Sequence, residues 1–357
     1  MGGAFSQLCV LLAQHKCKPS AVASLLTFVP PEPPYYELRP KGEGSTELNW
    51  LLDPEVVRSA FPDVAVNVMK TEKGSFIPGF LFRHPEAKLT ILFSHGNAAD
   101  CGTMRENYIQ MVRRLRVNVF AYDYTGYGAA FNEDMPSEAH TYSDIRAAYD
   151  YLVEAKICPK PGEQVVLYGQ SVGSGPSCKL AADPSRPVRG LVLHSPIMSG
   201  VRVLLENRGP LCCCDIYPNI NRIERVTAPV FIIHGDQDEE VAFRHGERLQ
   251  AKVPNSCKRE PCWIRGAGHN DIVEDFPNQY YPPLERFVRS LERHVAEGVT
   301  EFTPSPTPGA AAAPGVAAPG APAPTPTSHG ATGAAAAAAA TPSSEAATDS
   351  DTQLVLQ

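Results

Sequence analysis

The chain has 357 residues, 43% of them hydrophobic, with a formal net charge of −7 and a sequence pI of about 5.8. Its length allows a large buried core in one or two domains, and the acidic balance excludes a general attraction to nucleic acid. No apolar run of about 20 residues and no basic stretch ahead of an apolar core is present, so neither a membrane-spanning helix nor a secretory signal is expected. Ten cysteines without regular spacing indicate a reducing compartment, and we place the body of the chain in the cytosol.

The composition divides the chain into three parts. Residues 1–35 are apolar and end in a proline-rich stretch, whereas residues 36–298 alternate short apolar runs with longer segments of mixed polarity. Residues 299–357 form a tail that, from Thr303 onward, is almost entirely Ala, Pro, Gly, Ser and Thr. Such a tail cannot bury enough apolar surface to offset the entropy of ordering, so we predict that it is disordered. The middle part is the predicted folded domain.

The N-terminus carries a pattern for lipid attachment. Residues 1–6 fit the N-myristoylation pattern, with Gly2 exposed after removal of the methionine and a serine at the favoured sixth position. One myristoyl chain gives only marginal membrane binding, on the order of 10⁴ M⁻¹, so a second signal is needed. Palmitoylation of Cys9 or Cys17 would supply it. We favour this dual acylation, and therefore anchoring to a membrane, over an ordinary apolar helix packed on the domain.

Short apolar runs and helix-length segments alternate through the middle part. A short run, Cys262–Ile264, predicts one strand. Five fully apolar runs predict the other buried strands: Thr90–Phe93, Asn118–Tyr122, Val165–Tyr168, Gly190–His194 and Val230–Ile233. The predicted helices are Met104–Leu115, Tyr142–Lys156, Ser174–Ala182 and a last one from about Pro282. This alternation indicates an α/β fold with a mostly parallel central sheet and helices on both faces. Residues 196–227 exceed a simple crossover, and we interpret them as a short lid insertion.

The most informative motif is Gly169–Gly173, which reads Gly-Gln-Ser-Val-Gly and follows the third strand. A serine flanked by glycines between a strand and a helix is typical of a nucleophile elbow, which lifts a hydroxyl above the end of the sheet. The two glycines are needed because the turn brings backbones too close for side chains. The motif predicts that Ser171 is the nucleophile of a serine hydrolase.

A serine hydroxyl needs a base to take its proton, and the base needs an orienting acid. Behind a nucleophile elbow these follow in the order Ser, then Asp or Glu, then His. His269 lies in a glycine-rich loop after the last strand, where the base is expected. Both Asp236 and Asp238 lie in the loop after the fifth strand. We prefer Asp238, because it is further from the strand and its side chain can turn towards the base, and we keep Asp236 as the alternative.

Stabilisation of the reaction's oxyanion requires two backbone N–H donors. One is expected from Val172, directly after the nucleophile, and the other from Asn97 or Ala98 in the loop after the first strand. We favour Asn97, through its backbone rather than its side chain. His95, in the same loop, is interpreted as structural, with a catalytic base as the less favoured role. The glycine-containing stretch Asp123–Gly128 is interpreted as a tight turn lining the pocket, because it lacks the residues of a phosphate-binding loop. We expect no cofactor and no metal.

Six motifs occur in one order and at matching distances, and together they resemble the α/β-hydrolase-domain-seventeen family: His95–Ala98, Asp123–Gly128, Gly169–Gly173, His194–Pro196, His234–Gly235 and Gly266–Asp271. The similarity spans roughly residues 25–293. Members of this family are membrane-anchored protein depalmitoylases with an α/β-hydrolase fold. The resemblance implies a thioesterase on the cytoplasmic face of the plasma or endosomal membrane. It implies, as substrates, palmitoylated peripheral membrane proteins, small GTPases among them, and a triad of Ser171, Asp238 and His269.

Two features depart from the family pattern. Family members carry a dense N-terminal cysteine cluster that is palmitoylated, whereas this chain has only Cys9 and Cys17 there, and it adds the long Ala/Pro tail. Two other functions stay open at this point. One is a lipid or small-ester hydrolase, such as a monoacylglycerol lipase, which would use the same triad. The other is a non-catalytic scaffold that binds acylated peptides, which the intact triad argues against.

Overall fold

The computed structural model of the protein describes residues 24, 27–42, 47–52, 61, 64–129, 134–204 and 215–296. All of them lie in the first of two units into which the chain divides, Met1–Pro306 and Thr307–Gln357. The predicted lipidation sites Gly2, Cys9 and Cys17 lie outside the described residues, as do the predicted disordered tail and residues 205–214 of the lid insertion.

Within the described residues, eight strands form one sheet with the order β10-β9-β8-β7-β5-β6-β4-β3. The pairs are parallel except β3–β4 and β4–β6, and β1 and β2 form a separate antiparallel hairpin. The strands are β1 (Tyr36–Pro40), β2 (Leu48–Leu52), β3 (Ala65–Lys70), β4 (Phe76–Phe82), β5 (Thr90–Ser94), β6 (Asn118–Tyr122), β7 (Val165–Gln170), β8 (Gly190–His194), β9 (Val230–Gly235) and β10 (Cys262–Ile264). All six predicted strands are present, three of them extended by one or two residues at the carboxyl end.

Helices cover both faces of this sheet. They are α1 (Arg105–Leu115), α2 (Glu138–Glu154), α3 (Pro161–Gln164), α4 (Ser174–Ala181), α5 (Gly200–Leu204), α6 (Asn219–Arg222), α7 (Arg244–Lys252) and α8 (Pro277–Ala296), with 3₁₀ turns at Ser171–Gly173 and Ile223–Arg225. Alternate residues of β5 enter different clusters of the core. Leu92 packs in the cluster that contains residues of α2 and α4, whereas Ile91 and Phe93 pack in the cluster that contains residues of α1 and α8. This two-faced burial explains why the parallel strands are apolar throughout.

Two helices differ from their predicted limits by more than one residue. Helix α2 begins four residues before Tyr142, because the Ser137 side chain caps it by accepting a hydrogen bond from the His140 N–H. The prediction that the last helix starts near Pro282 is wrong, since α8 begins at Pro277 and contains Pro282 and Pro283. Packing of an apolar face that includes Tyr280 and Leu284 against the sheet outweighs the hydrogen bonds lost at the two prolines.

The described part of the lid insertion lies against the start of α4. The Ile197 N–H and the Asn219 side chain both donate to the Ser174 hydroxyl, at 3.2 and 3.3 Å. Tyr217 packs so closely on Gly175 that a Cβ there would overlap its ring. The insertion is therefore fixed to the helix that follows the predicted nucleophile. No helix in the described part of the chain combines the length and apolar character that a membrane crossing requires.

Candidate active site

Ser171 occupies a sharp turn between β7 and α4. Its φ of +50° lies in the left-handed region, which side-chain-bearing residues adopt at a cost. A Cβ on Gly173 would overlap the Ser94 carbonyl oxygen and lie 2.7 Å from the His95 carbonyl oxygen. A Cβ on Gly169 would lie 2.6 Å from the Gly173 carbonyl oxygen. The close backbone approach therefore requires both glycines, and the strained turn presents the Ser171 hydroxyl at the carboxyl end of the sheet.

His269 links Ser171 to Asp238. Its Nε2 lies 3.0 Å from the Ser171 Oγ, and its Nδ1 lies 2.7 Å from Oδ2 of Asp238. His269 and Asp238 are only 8% and 7% exposed, so water has little access to their contact. His269 follows β10, Ser171 follows β7 and Asp238 follows β9. These three strands end at the same edge of the sheet. The structure thus brings together the serine, acid and base that the sequence singled out, in hydrogen-bonding range for proton transfer.

The Asp238 carboxylate is held by several donors besides His269. Its Oδ1 accepts hydrogen bonds from the backbone N–H groups of Glu240 and Val241, at 3.0 and 2.7 Å. Nε2 of His234, at the end of β9, lies 3.1 Å from Oδ2. Burial raises the pKa of Asp238, but hydrogen bonds from His234 and His269 outweigh burial and hold this pKa well below its ordinary value. The carboxylate is therefore ionised at neutral pH, as the orienting acid of a triad must be.

The alternative acid, Asp236, has a different set of contacts. Its Oδ1 accepts a hydrogen bond of 2.7 Å from the backbone N–H of Gly266. Its own N–H donates to the carbonyl of Ile264. Asp236 therefore ties the loop after β9 to the glycine-rich loop that carries His269. The structure places Asp238, not Asp236, against the histidine ring.

The loop after β5 passes beside the nucleophile. A Cβ on Gly96 would lie 3.8 Å from the Ser171 Cβ, and Ala98 has a φ of +52°. The side-chain oxygen of Asn97 accepts hydrogen bonds from the Tyr127 hydroxyl at 2.7 Å and from the Val29 N–H at 2.9 Å. These hydrogen bonds engage the Asn97 side chain, so a contribution of Asn97 to an oxyanion hole would come from its backbone N–H. Val172, the residue after the nucleophile, lies in the 3₁₀ turn Ser171–Gly173 that leads into α4.

His95 stabilises this loop through contacts of its ring and its carbonyl group. Its ring is fully buried, with Nδ1 2.8 Å from the Gly96 carbonyl oxygen and Nε2 3.2 Å from Oδ1 of Asp123. The Tyr124 hydroxyl donates to the His95 carbonyl at 2.7 Å. These contacts fit the structural role expected for His95, and His269 is the histidine that faces Ser171.

The turn Asp123–Gly128 is a packed support rather than an open cradle. A Cβ on Gly128, whose φ is +56°, would overlap the Asp123 carboxylate. Asp123 accepts hydrogen bonds from the Tyr36 hydroxyl and from the Cys101 N–H. The interpretation as a tight turn therefore agrees with the geometry. Among the residues that the structure describes, no group of three or more His, Cys, Asp or Glu side chains is placed to hold a metal ion.

A further buried histidine near the site is uncharged at neutral pH. His194, at the end of β8, is buried, and its Nδ1 lies 2.8 Å from the Tyr168 hydroxyl. Burial, with His269 and His234 nearby, lowers the pKa of His194 to about 3. Sequence reasoning did not assign roles to His234, Tyr127 or Val29. The His-Gly pair that ends β9 is a usable signal for His234, whereas the contacts of Tyr127 and Val29 span about 30 and 70 residues of sequence and leave no local pattern.

A mostly parallel sheet covered by helices, a nucleophile elbow and a Ser–Asp–His chain order define a hydrolase of the serine class with the α/β-hydrolase fold. Residues 85–207 match the Hydrolase_4 family model, described as serine aminopeptidase S33. The chain is 39% identical over 291 residues to alpha/beta hydrolase domain-containing protein 17B of Homo sapiens, covering 80% of this chain and 96% of that protein. The protein therefore belongs to the alpha/beta hydrolase domain-containing protein 17 family, as the sequence motifs predicted.

Other comparisons agree with this assignment. The chain is 37% identical over 306 residues to alpha/beta hydrolase domain-containing protein 17C of Xenopus laevis, covering 80% of this chain and 95% of that protein. Among solved structures, the esterase Pf2001 of Pyrococcus furiosus has a TM-score of 0.53 at 16% identity, covering 66% of this chain and 97% of that one. At this identity the likeness shows the fold alone, and the predicted α/β-hydrolase fold is confirmed.

Proposed function

We propose that the protein is a membrane-associated acyl-protein thioesterase that removes palmitate from S-acylated cysteines of peripheral membrane proteins, with small GTPases among the candidates. The observation that carries the hydrolytic part is the hydrogen-bonded row of Ser171, His269 and Asp238. The lipidation pattern at Gly2 with Cys9 or Cys17 supports a substrate held at a membrane. Membership of the domain-containing protein 17 family is consistent with both parts.

In the proposed reaction, Nε2 of His269 takes the proton of Ser171 as Oγ attacks the thioester carbonyl carbon. The resulting oxyanion accepts hydrogen bonds from the backbone N–H groups of Asn97 and Val172. Collapse of the tetrahedral intermediate breaks the C–S bond, and the leaving cysteine sulfur takes the proton from His269. A water molecule, deprotonated by His269, then attacks the acyl ester on Ser171. Collapse of this second intermediate breaks the C–O bond to Ser171, whose Oγ takes the proton back from His269 as palmitate is released. Asp238 stabilises the imidazolium that forms in each half-reaction.

The place where the N-terminal segment meets the domain supports a substrate at the membrane. Phe28 and Val29 lie at the loop that carries Asn97, because the Val29 N–H donates to the Asn97 side chain. An acylated N-terminus would therefore be tethered through a segment that begins beside the reacting centre. If so, Gly2→Ala should move the protein from the membrane to the soluble fraction of cells. Full membrane retention of Gly2→Ala would contradict myristoylation as the anchor.

The triad would also serve a lipid or small-ester hydrolase, so substrate preference must be measured. The test incubates the wild type with a peptide palmitoylated on cysteine and, separately, with monopalmitoylglycerol, in the same detergent micelles. Ser171→Ala is the matched inactive control. Faster release of palmitate from the peptide supports the proposed thioesterase, and faster release from the glycerol ester supports the lipase alternative. Binding of the peptide without any release would indicate a scaffold.

A further inference from the structure

Residues 27–30, which we call the leading segment, are built into the wall of the active site. Phe28 is 6% exposed and lies between two aromatic rings, with centroid distances of 6.5 Å to Tyr127 and 6.2 Å to Tyr217 in edge-to-face geometry. The side chain of Val29 is different, since it is 54% exposed. What Val29 contributes inward is its backbone N–H. The leading segment is therefore held by one aromatic side chain and one main-chain donor.

Three groups close a small hydrogen-bonded ring at this point. The Val29 N–H points to Oδ1 of Asn97 at 2.9 Å and to the Tyr127 hydroxyl at 3.2 Å. The Tyr127 hydroxyl donates to the same Asn97 oxygen at 2.7 Å. Burial raises the pKa of Tyr127, so its hydroxyl keeps its proton and remains a donor. Two donors on one oxygen fix the orientation of the Asn97 side chain, and with it the peptide groups on either side.

The position of Tyr127 is itself well determined. Its ring lies 5.5 Å from the rings of both His95 and Tyr124, measured between centroids. Those two residues support the same loop, because the Tyr124 hydroxyl donates to the His95 carbonyl. A rigid tyrosine thus transmits the position of the turn after β6 to Asn97. A donor displaced by even a fraction of an ångström stabilises an oxyanion poorly, so such rigidity has a direct chemical consequence.

We propose that Tyr127 and the Val29 N–H are positioning groups for the oxyanion hole, which they orient through the side chain of Asn97. The inference rests on the proposed serine-hydrolase chemistry, in which the Asn97 N–H stabilises the oxyanion. It makes the leading segment a working part of the catalytic site and not only the connection to a membrane anchor. Loss of either group should slow the chemical step and leave ground-state binding of substrate unchanged, because both groups act through Asn97, whose N–H stabilises charge that develops only in the chemical step.

The test compares Tyr127→Phe, Asn97→Ala and the double variant. The readouts are the second-order rate constant for fluorophosphonate labelling of Ser171, and kcat and KM for a p-nitrophenyl ester. Phosphonylation also places negative charge in the oxyanion hole, so its rate reports on the hole whatever the natural substrate is. We expect each single variant to lower the labelling rate and kcat about tenfold with KM unchanged, less than the loss of a whole oxyanion donor would cost.

The double variant separates a shared role from two independent ones. If Tyr127 acts through Asn97, the double variant is no slower than the slower single variant, because both substitutions remove the same contact. Val29→Pro removes the main-chain N–H that contacts Asn97 and Tyr127, so it should lower the labelling rate as Tyr127→Phe does. Tyr149→Phe is the control for stability, because it removes another buried hydroxyl, one that donates to the Pro187 carbonyl at 2.8 Å. The Tyr149→Phe control should label at the wild-type rate.

Labelling of both single variants at the wild-type rate would overturn the inference, and so would single effects that multiply in the double variant. If the melting temperature of Asn97→Ala shows that this variant does not fold, Tyr127→Phe alone tests the inference, because it removes only the hydroxyl group. A different result would contradict the proposed function. A wild type that labels at Ser171 but releases no palmitate from a palmitoylated peptide contradicts the thioesterase proposal, and the ratio of labelling rates still tests the oxyanion positioning.

Discussion

Nε2 of His234 lies 3.1 Å from Oδ2 of Asp238, the same carboxylate oxygen that Nδ1 of His269 contacts at 2.7 Å. The same His234 nitrogen also lies 2.8 Å from the carbonyl oxygen of Val241, whose N–H donates to the other carboxylate oxygen. His234 thus stabilises both the acid and the loop that presents it. It acts on the reaction through Asp238, and the ring of His269 is left to face Ser171.

The contact between His234 and Asp238 predicts the effect of replacing His234. His234→Phe keeps a ring of similar size but removes the donor, so Asp238 is held less firmly and orients His269 less well. We expect kcat for ester hydrolysis to fall about tenfold with little change in KM, because positioned proton transfer is affected and substrate binding is not. Unchanged kcat in a variant that melts at the wild-type temperature would show that His234 has no positioning role.

The two aspartates after β9 should respond very differently to the same change. Asp238→Asn removes the charge that orients and stabilises the His269 ring, and a loss of about 10⁴-fold in kcat is expected. Asp236→Asn keeps an oxygen that can accept the Gly266 N–H, so near-normal activity is expected from it. Steady-state kinetics of the two purified variants decide the matter. A larger loss for Asp236→Asn would move the acid of the triad to that residue.

Substitutions at two glycines near the nucleophile test how closely the backbone packs at the elbow. Gly173→Ala would drive a methyl group into the carbonyl oxygens of Ser94 and His95, and a destabilisation of about 3 kcal/mol is expected from such overpacking. Gly96→Ala meets no atom closer than 3.8 Å and should leave the free energy of unfolding nearly unchanged. Thermal or urea unfolding measures both. Equal stability of the two variants would contradict the proposed close packing at the elbow.

The buried carboxyl of Asp144 predicts a pH dependence of stability. Its oxygens accept hydrogen bonds from the Thr125 N–H and hydroxyl at 2.9 and 2.8 Å. Burial raises the pKa of Asp144 to about 7 from an ordinary value of 3.8, although the bonds from Thr125 and the charge of Arg146 oppose this rise. The folded state therefore binds a proton more tightly than the unfolded state. The resulting stabilisation is fully present below about pH 4 and is lost as the pH rises towards 7.

Asp144→Asn isolates this contribution, because the amide resembles the protonated carboxyl and cannot ionise. The free energy of unfolding of the wild type should fall relative to that of Asp144→Asn by about 4 kcal/mol between pH 4 and pH 8. Urea unfolding across that range gives the comparison. A constant difference between the two proteins at every pH would show that Asp144 has an ordinary pKa in the folded state.

Much of the fold was predictable because burial on both faces leaves an apolar run for each parallel strand. The six predicted strands required no knowledge of tertiary contacts. Helix α7 escaped prediction since its sequence is mostly polar and it buries only His245, Gly246 and Leu249. The edge strand β3 and its neighbour β4 were also missed. In β3, Ala65–Lys70 alternates only weakly between exposed and half-buried positions. The start of α8 was misplaced because tertiary packing overrode the local effect of two prolines.

The residues of the candidate site also divide into those that local sequence predicts and those that depend on tertiary contacts. Ser171, Asp238 and His269 follow strand ends in a chain order that chemistry and the fold dictate, so spacing along the sequence was enough to find them. The choice of Asp238 over Asp236 depends on which carboxylate turns towards His269, and the hydrogen bonds of Gly266 to one and Val241 to the other make that distinction visible. Supports such as Val29 and Tyr127 depend on contacts between distant segments, which no local pattern encodes.

The most direct test of the account is detection of the covalent intermediate on Ser171. The wild type is mixed with a palmitoylated cysteine peptide, quenched with acid within the first turnover, digested and analysed by mass spectrometry. A palmitoyl group is expected on the peptide that contains Ser171, appearing before free palmitate accumulates and absent from Ser171→Ala. Release of palmitate at the wild-type rate by Ser171→Ala, or turnover with the acyl group on another residue, would contradict it.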